Sequence, residues 1–437
     1  MKFSSQDILF GSSLIFDDKK PDRVKYFLDN MENNKAYILD KKFPDDEVLN
    51  ILKNKFKQYR IDWNEQPIKV IKSKKFDEIK PLCIDLEVSS FCDLACPHCS
   101  REYLATPDKL INIDFAKKII LEASEMEVPS IKFNWRGEPL LNKQLPNLIK
   151  FAKSKGILET IINTNATNLD EETSNKLLDS GLDYMIFSFD GGTKSTYEKY
   201  RPGRFQKNLF EKVYENIKNF TKIKKDRNLK FPYTKIQMVM IQETKNEINE
   251  FFDLFRNIVD DVSVTQYNER GANLENLTKE KKEFISDILI KNNLNIDTPY
   301  LINAEDEVFV STKRKACFQP FQRIMVTYNG KTGMCCLDWG AKHNIGYLSE
   351  DGFDYQEDEK KILENLKNKK KGFALLENIK LPKVYNNPEK KVSTLKEIWH
   401  GQDINNVRLE HLDENLDKIQ ICKECNSSDT FEWKKIN

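Results

Sequence analysis

Between residues 82 and 266 the chain alternates apolar, β-branched runs with amphipathic stretches, and this rhythm constrains the fold more than any other feature. Strand signals fall at 82–88, where Leu82, Ile84, Leu86 and Val88 alternate, and at 130–135, 160–164, 184–189, 235–241 and 262–266. Helical periodicity fills the gaps, at 115–124, 144–154, 171–179, 209–220 and 247–258. Six strands with helices between them predict a parallel sheet covered by helices. The pattern alone leaves an open sheet and a curved barrel equally available. In either, chemistry collects at the C-terminal ends of the strands.

The flanks are different. Residues 1–80 are polar, with helical periodicity at 22–31 and 45–56 and a short strand signal at 36–39, and they suggest no function. After residue 300 a hairpin is expected at 323–327 and 332–335, turning at Asn329-Gly330. A charged helix over 358–376 and a helix over 394–411 follow. With 437 residues the chain suits several domains, divided at 1–80, 81–300 and 301–437. There is no internal repeat.

Charge excludes more than it suggests. The 70 Lys and Arg balance 69 Asp and Glu, so no net field draws the chain to nucleic acid or to an anionic membrane. The lysine runs at 72–75 and 367–371 read as solvated surface. No apolar stretch approaches the ~20 residues that span a bilayer. The first residues lack the basic-then-apolar order of a secretory signal, so a cytoplasmic location is expected.

Nine cysteines stand mostly in groups: Cys92, Cys96 and Cys99; Cys317, Cys335 and Cys336; Cys422 and Cys425. In a reducing compartment such spacing reads as metal or redox ligation before disulfides. Only four histidines are present, so thiolate-only sites, zinc or iron–sulfur, are favoured. Cys92, Cys96 and Cys99 make a Cys-x3-Cys-x2-Cys run directly after the first strand. Three thiolates can hold three irons of a cubane and leave the fourth open, and an open position separates a reactive centre from a closed one. The alternative is a zinc knuckle with a distant fourth cysteine.

This run and its place resemble the radical S-adenosylmethionine (SAM) superfamily. Further matches follow in order at strand ends. Arg136-Gly137-Glu138-Pro139 resembles the family's Gly-Gly-Glu-Pro, with Arg136 in place of the first Gly. Thr164-Asn165-Ala166-Thr167 resembles Thr-Asn-Gly-Thr, and Ser188-Phe189-Asp190-Gly191 resembles Ser-x-Asp-Gly. The resemblance covers roughly residues 82–270 and implies a partial (β/α)6 barrel. It also implies a [4Fe–4S] cluster on Cys92, Cys96 and Cys99, whose open iron takes the amino and carboxylate groups of SAM. In the family an electron then releases a 5′-deoxyadenosyl radical. Glu138 would accept from the SAM ammonium, a charge-assisted contact, and His98 would lie near the adenine. Ser188 would reach the ribose or carboxylate, with Gly137, Thr164, Asn165 and Asp190 completing the cofactor site.

Beyond residue 300, Cys317, Gly330-x4-Cys335 and Cys422-x2-Cys425 resemble the start of a SPASM extension, as do Leu395–Trp399 and Arg408. A full SPASM domain carries more cysteines, whereas this sequence ends twelve residues after Cys425. The resemblance therefore implies one auxiliary [4Fe–4S] cluster on Cys317, Cys335, Cys422 and Cys425, as in the shortened "twitch" variant. A Zn(Cys)4 site is the alternative. The fold class expected is a radical SAM barrel with a small C-terminal α+β auxiliary-cluster domain and an N-terminal α/β extension.

Cys336 has three readings: an alternative ligand, a catalytic thiol that returns hydrogen to a substrate radical, or a small apolar residue beside the cluster. Cys83 reads as core. Trp135, Trp339 and Trp399 read as core or as cavity walls, and 197–201 as a surface helix or a substrate loop. The implied activity is hydrogen abstraction from a small, sugar-like substrate by an oxidoreductase or epimerase, with flavodoxin or ferredoxin as electron donor. A peptide- or protein-modifying maturase is the alternative. A non-catalytic iron–sulfur carrier and a zinc-stabilised scaffold are readings from other classes. A carrier needs no SAM pocket, so Glu138, Asn165 and Ser188 argue against it.

Overall fold

The computed structural model describes residues 13–16, 22–34, 46–266, 289–294, 298, 300–302, 307–368, 379–423, 425, 427 and 430–436. A ten-stranded sheet forms its frame. The strand β1 (Ser13–Phe16) lies at one edge. Next in sequence come β2 (Cys83–Leu86), β3 (Ser130–Lys132), β4 (Glu159–Thr164), β5 (Tyr184–Ser188), β6 (Tyr233–Met240) and β7 (Asp261–Gln266), each parallel to its neighbour. β1 closes on β7 in the antiparallel sense. The result is the expected partial barrel.

Alternation places the core. Ile84, Leu86, Ile131, Ile162, Met185, Phe187, Ile236 and Val264 point outward from the strands into one apolar cluster. The residues between them face the barrel interior. Helices supply the outer layer. The helix that follows β2, Ile113–Glu125, is capped by Asn112, whose side chain accepts from the backbone N–H groups of Asp114 and Phe115.

The N-terminal segment has a structural role that its sequence does not suggest. α1 (Arg23–Asn30) and α2 (Asp46–Ser73) fill one end of the barrel interior. Phe27, Phe56, Tyr59 and Trp63 pack there against Cys83, Ile161, Tyr184 and Tyr233. Phe27 stacks on Phe56 at 5.2 Å, while Arg23 lies 4.6 Å over the Tyr184 ring and pairs with Glu159. α2 continues far beyond the expected 45–56. Phe56, Tyr59, Trp63, Pro67 and Val70 extend its buried stripe at three- and four-residue spacing, even though Pro67 lies inside the helix. The strand expected at 36–39 lies outside the described residues.

The C-terminal part extends the main sheet and forms a second one. β8 (Tyr300–Ile302) and β9 (Val308–Arg314) belong to a small second sheet. β10 (Arg323–Val326), β11 (Lys331–Gly333) and β12 (Asn344–Tyr347) extend the main sheet, with β10 parallel to β2 and the β10–β11 hairpin where Asn329-Gly330 signalled it. The charged helix runs over Tyr355–Asn368, and the rest of its expected span falls outside the described residues. The helix expected over 394–411 is two, α3 (Leu395–Trp399) and α4 (Gln402–Leu412), separated at Gly401. Finally β13 (Phe431–Ile436) pairs antiparallel with β9. Sequence periodicity did not reveal β8, β9 or β13. Among the described residues no helix is long and apolar enough to cross a membrane.

Candidate functional site

The cysteines fall in two groups, one on a loop of the barrel and one in the C-terminal part. The loop leaving β2 carries Cys92, Cys96 and Cys99. Its turn is closed by the Cys99 N–H, which donates to the Cys96 carbonyl at 2.9 Å. The loop is stitched to the segment after β5: Ala95 N–H donates to Pro202 O and Arg204 N–H to Asp93 O, both at 2.8 Å. Asp93, which no motif singled out, is its anchor. The carboxylate accepts from Asn165 Nδ2 at 2.8 Å, Thr167 Oγ1 at 2.5 Å and Asn168 Nδ2 at 2.9 Å.

Glu138 sits beside this loop, 2% exposed. Its Oε1 accepts from Leu140 N–H at 3.0 Å and Thr164 Oγ1 at 2.6 Å, and its Oε2 from Asn165 N–H at 2.7 Å. Burial pushes its carboxyl up to about 7, against the pull of these donors. A carboxylate held this way gains from a cation. Gly137 is required at its position: φ is +67°, and a Cβ would stand 2.5 Å from Ser89 O. That close approach lets Glu138 N–H donate to Phe91 O at 2.7 Å, next to Cys92.

Asp190 is fully engaged. It accepts from Arg201 Nε at 2.8 Å, His98 Nε2 at 3.2 Å and Val239 N–H at 2.8 Å. Burial alone would raise its carboxyl, but Arg201 and His98 outweigh that and hold it well below the usual range. The segment 197–201 closes a helix over Lys194–Tyr200 with Lys199 exposed, while Tyr197, Tyr200 and Arg201 are buried and Tyr200 meets the His98 ring at 6.1 Å. Thr164, Asn165 and Asp190 therefore spend their side chains on positioning. Ser188 turns its hydroxyl to Asn163 Oδ1 at 2.8 Å, on the interior side of β5. Arg136 does not approach Glu138. It makes a two-pronged pair with Glu87, at 2.5 and 2.8 Å, and is 4% exposed.

The second group assembles from distant segments. Cys317, Cys335, Cys422 and Cys425 line one cavity, with Met334 and His411 on its wall. Their sulfurs have donors: Leu337 N–H reaches Cys335 Sγ at 3.3 Å and Ser427 N–H reaches Cys425 Sγ at 3.4 Å. Arg314, at the end of β9, clamps the last turn by donating to the Cys422 and Cys425 carbonyls. Cys336 packs with Trp135, Met325 and Ala341, and its thiol also lies within hydrogen-bond reach of Cys335. Its carbonyl accepts from Trp135 Nε1 at 3.1 Å. Trp339 packs with Leu104 against Cys99 and Tyr103, whereas Trp399 is plain core, stacked 4.2 Å from the Arg408 guanidinium. Cys83 is core, as expected.

All nine cysteines are unbridged thiols. Among the described residues no three His, Cys, Asp or Glu side chains converge on a point as ligands of one metal ion do. A cubane asks for something else, one thiolate per iron, spread around a cluster. Sulfur-directed N–H groups and a lined cavity suit the second site to such a cluster. The first site's three thiols on one turn beside a cation-seeking carboxylate suit a cluster with an open iron.

Residues 86–255 match the family model described as the radical SAM superfamily. The chain carries a radical SAM domain. Residues 317–371 match an iron–sulfur cluster-binding domain, SPASM. The first is a domain that binds SAM and a [4Fe–4S] cluster, and the second one that binds auxiliary iron–sulfur clusters. The chain is 36% identical over 112 residues to the PqqA peptide cyclase of Bradyrhizobium diazoefficiens, covering 25% of this chain and 29% of that protein. It is 28% identical over 177 residues to the GTP 3′,8-cyclase of Chlorobaculum tepidum, covering 40% and 49%. The chain thus spans less than half the length of either curated relative. Among solved structures, Streptococcus suis SuiB bound to precursor peptide SuiA superposes with a TM-score of 0.46 at 16% identity, covering 88% of this chain and 79% of that one.

Proposed function

We propose that this radical SAM enzyme is an oxidoreductase that takes hydrogen from a small, sugar-like substrate. In this reading Cys92, Cys96 and Cys99 hold the catalytic cluster, and Cys317, Cys335, Cys422 and Cys425 hold one auxiliary cluster. The observation that carries it is the convergence of the cysteine turn with Glu138, a buried carboxylate fixed by three donors beside Cys92. When bound, cluster and SAM together supply a carbon radical able to abstract hydrogen, chemistry that belongs to the cofactor. The chain's own residues bind and orient. Glu138 accepts from the SAM ammonium, Thr164 and Asn165 hold Glu138, Asp93 holds the cysteine turn, and Asp190 with Arg201 sets the His98 ring. Ser188 and Gly137 complete the pocket wall. Buried Trp339, beside Cys99, and buried Trp135, beside Cys336, exclude water.

Residues 1–80, 81–300 and 301–437 form the extension, the catalytic domain and the auxiliary-cluster domain. Nine unbridged cysteines fit a reducing cytoplasm, with flavodoxin or ferredoxin as donor. Two observations support a small substrate: four cavity-lining cysteines suffice for one auxiliary cluster, and α1 and α2 are packed into the barrel base. The relative named PqqA peptide cyclase supports a second reading, a peptide substrate. An epimerase variant of the first reading would use Cys336 as hydrogen donor, and its place on the Trp135 side favours that.

The test is anaerobic reconstitution with dithionite and SAM, counting 5′-deoxyadenosine from the parent and from a Cys92→Ala/Cys96→Ala/Cys99→Ala variant. Product from the parent alone is expected, rising with the correct substrate when sugars and peptides are screened. No product from an iron-replete parent sinks the proposal.

A further inference from the structure

We infer that His411 is a positioning residue of the auxiliary site, donating a hydrogen bond to the Cys422 sulfur and so raising the reduction potential of the cluster held there. The inference rests on the four-cysteine reading above. His411 lies on α4, 1% exposed, on the wall of the cavity that the four cysteines line. Its Nδ1 accepts from the Cys317 backbone N–H at 3.0 Å. A ring nitrogen that accepts carries no hydrogen, so in the neutral ring the hydrogen sits on Nε2. Nε2 stands 3.5 Å from Cys422 Sγ, within reach of an N–H···S bond. One imidazole thus ties the segment after β9 to the C-terminal turn. Phe321 meets the ring edge-on at 6.5 Å and fixes its plane.

The electrostatic consequence has a sign. A donor aimed at a thiolate stabilises the reduced, more negative cluster more than the oxidised one, so the potential rises. His411 adds to the Leu337 and Ser427 backbone donors, which serve Cys335 and Cys425. At Cys422 it is a side chain that takes this task. A cluster biased this way accepts an electron more readily, which favours oxidation of the substrate radical over return of a hydrogen atom.

The experiment uses the full chain in the Cys92→Ala/Cys96→Ala/Cys99→Ala background, so that only the auxiliary signal is read. His411→Phe, His411→Gln and Cys422→Ala are reconstituted anaerobically, iron and sulfide are counted, and the cluster is titrated by electron paramagnetic resonance. His411→Phe is expected to keep its iron while the reduced-to-oxidised ratio at the parent midpoint falls about tenfold, ~59 mV for one electron. His411→Gln, which keeps an N–H able to reach the sulfur, should fall much less. His411→Leu serves the same comparison if the larger ring does not fold. An unchanged potential in the apolar variants overturns the inference. So does loss of iron on His411→Phe with retention on Cys422→Ala, which would make the imidazole a ligand. A background protein that takes up no cluster at all fails the four-cysteine reading itself, an outcome distinct from either.

Discussion

The two cysteine groups solve one problem in opposite ways. In the barrel, three thiols come from a single turn of eight residues, 92–99, and the surrounding side chains exist to hold that turn. Asp93, Glu138 and Asp190 each collect three donors, and none reaches a thiol from the far end of the chain. In the C-terminal part, four thiols come from three separate segments and are gathered by β9, the β10–β11 hairpin and the turn before β13. Backbone N–H groups of Leu337 and Ser427 point at sulfur there, as Asn165 Nδ2 does toward Cys92 Sγ, at 3.9 Å, in the barrel. On the proposed ligand sets, the contrast is between a site with three thiols on one turn and a site with four gathered from separate segments. Three thiols on a local turn would leave one iron of a cubane without a protein ligand, whereas four thiols from three converging segments would ligate all four.

If that contrast is right, the largest effect comes from removing the closed site alone. Cys422→Ala with Cys425→Ala should lose half the reconstituted iron while 5′-deoxyadenosine formation without substrate continues. Loss of both clusters would show that the sites are not separable. A smaller effect tests the tie between them. Arg136 and Glu87 form a buried pair, and Glu87 also accepts from the Tyr328 backbone N–H at 3.1 Å, on the hairpin. Arg136→Met leaves that carboxylate unpaired and should cost about 3–5 kcal/mol in denaturant unfolding. A loss below about 1 kcal/mol would mean that water or another cation takes over. The smallest effect sharpens the open site. Thr164→Val removes one of three donors to Glu138, and a loss of about 1 kcal/mol, roughly fivefold in SAM affinity, is expected. Equilibrium dialysis of the cluster-loaded protein measures it, and unchanged affinity would remove Thr164 from the site.

Much of the open site could be read before any coordinates. Cys92, Cys96 and Cys99 are close neighbours in sequence, and Gly137, Glu138, Asn165 and Asp190 follow strands while Thr164 ends one. Asp93 and Arg201 were missed because nothing in their spacing distinguishes them from ordinary surface charges. A signal existed for Arg201: it precedes Pro202-Gly203, a turn that the structure lays against the cysteine loop. His411 was invisible for a different reason. Its partners, the Cys317 N–H and Cys422 Sγ, lie far apart in sequence and on different elements.

The sequence by itself determined the β/α alternation, the turn that presents three thiols and the hairpin at Asn329-Gly330. These are local properties, written in hydrophobic period and in neighbouring residues. Only the tertiary structure decided that α1 and α2 plug the barrel, that Arg136 turns from Glu138 to Glu87, that β13 returns to β9, and that Cys336 faces Trp135 while Cys335 joins the cavity. Each depends on which buried faces and charges find one another across the chain. Side-chain packing and charge pairing carry no periodic trace, so they become visible only when the segments meet.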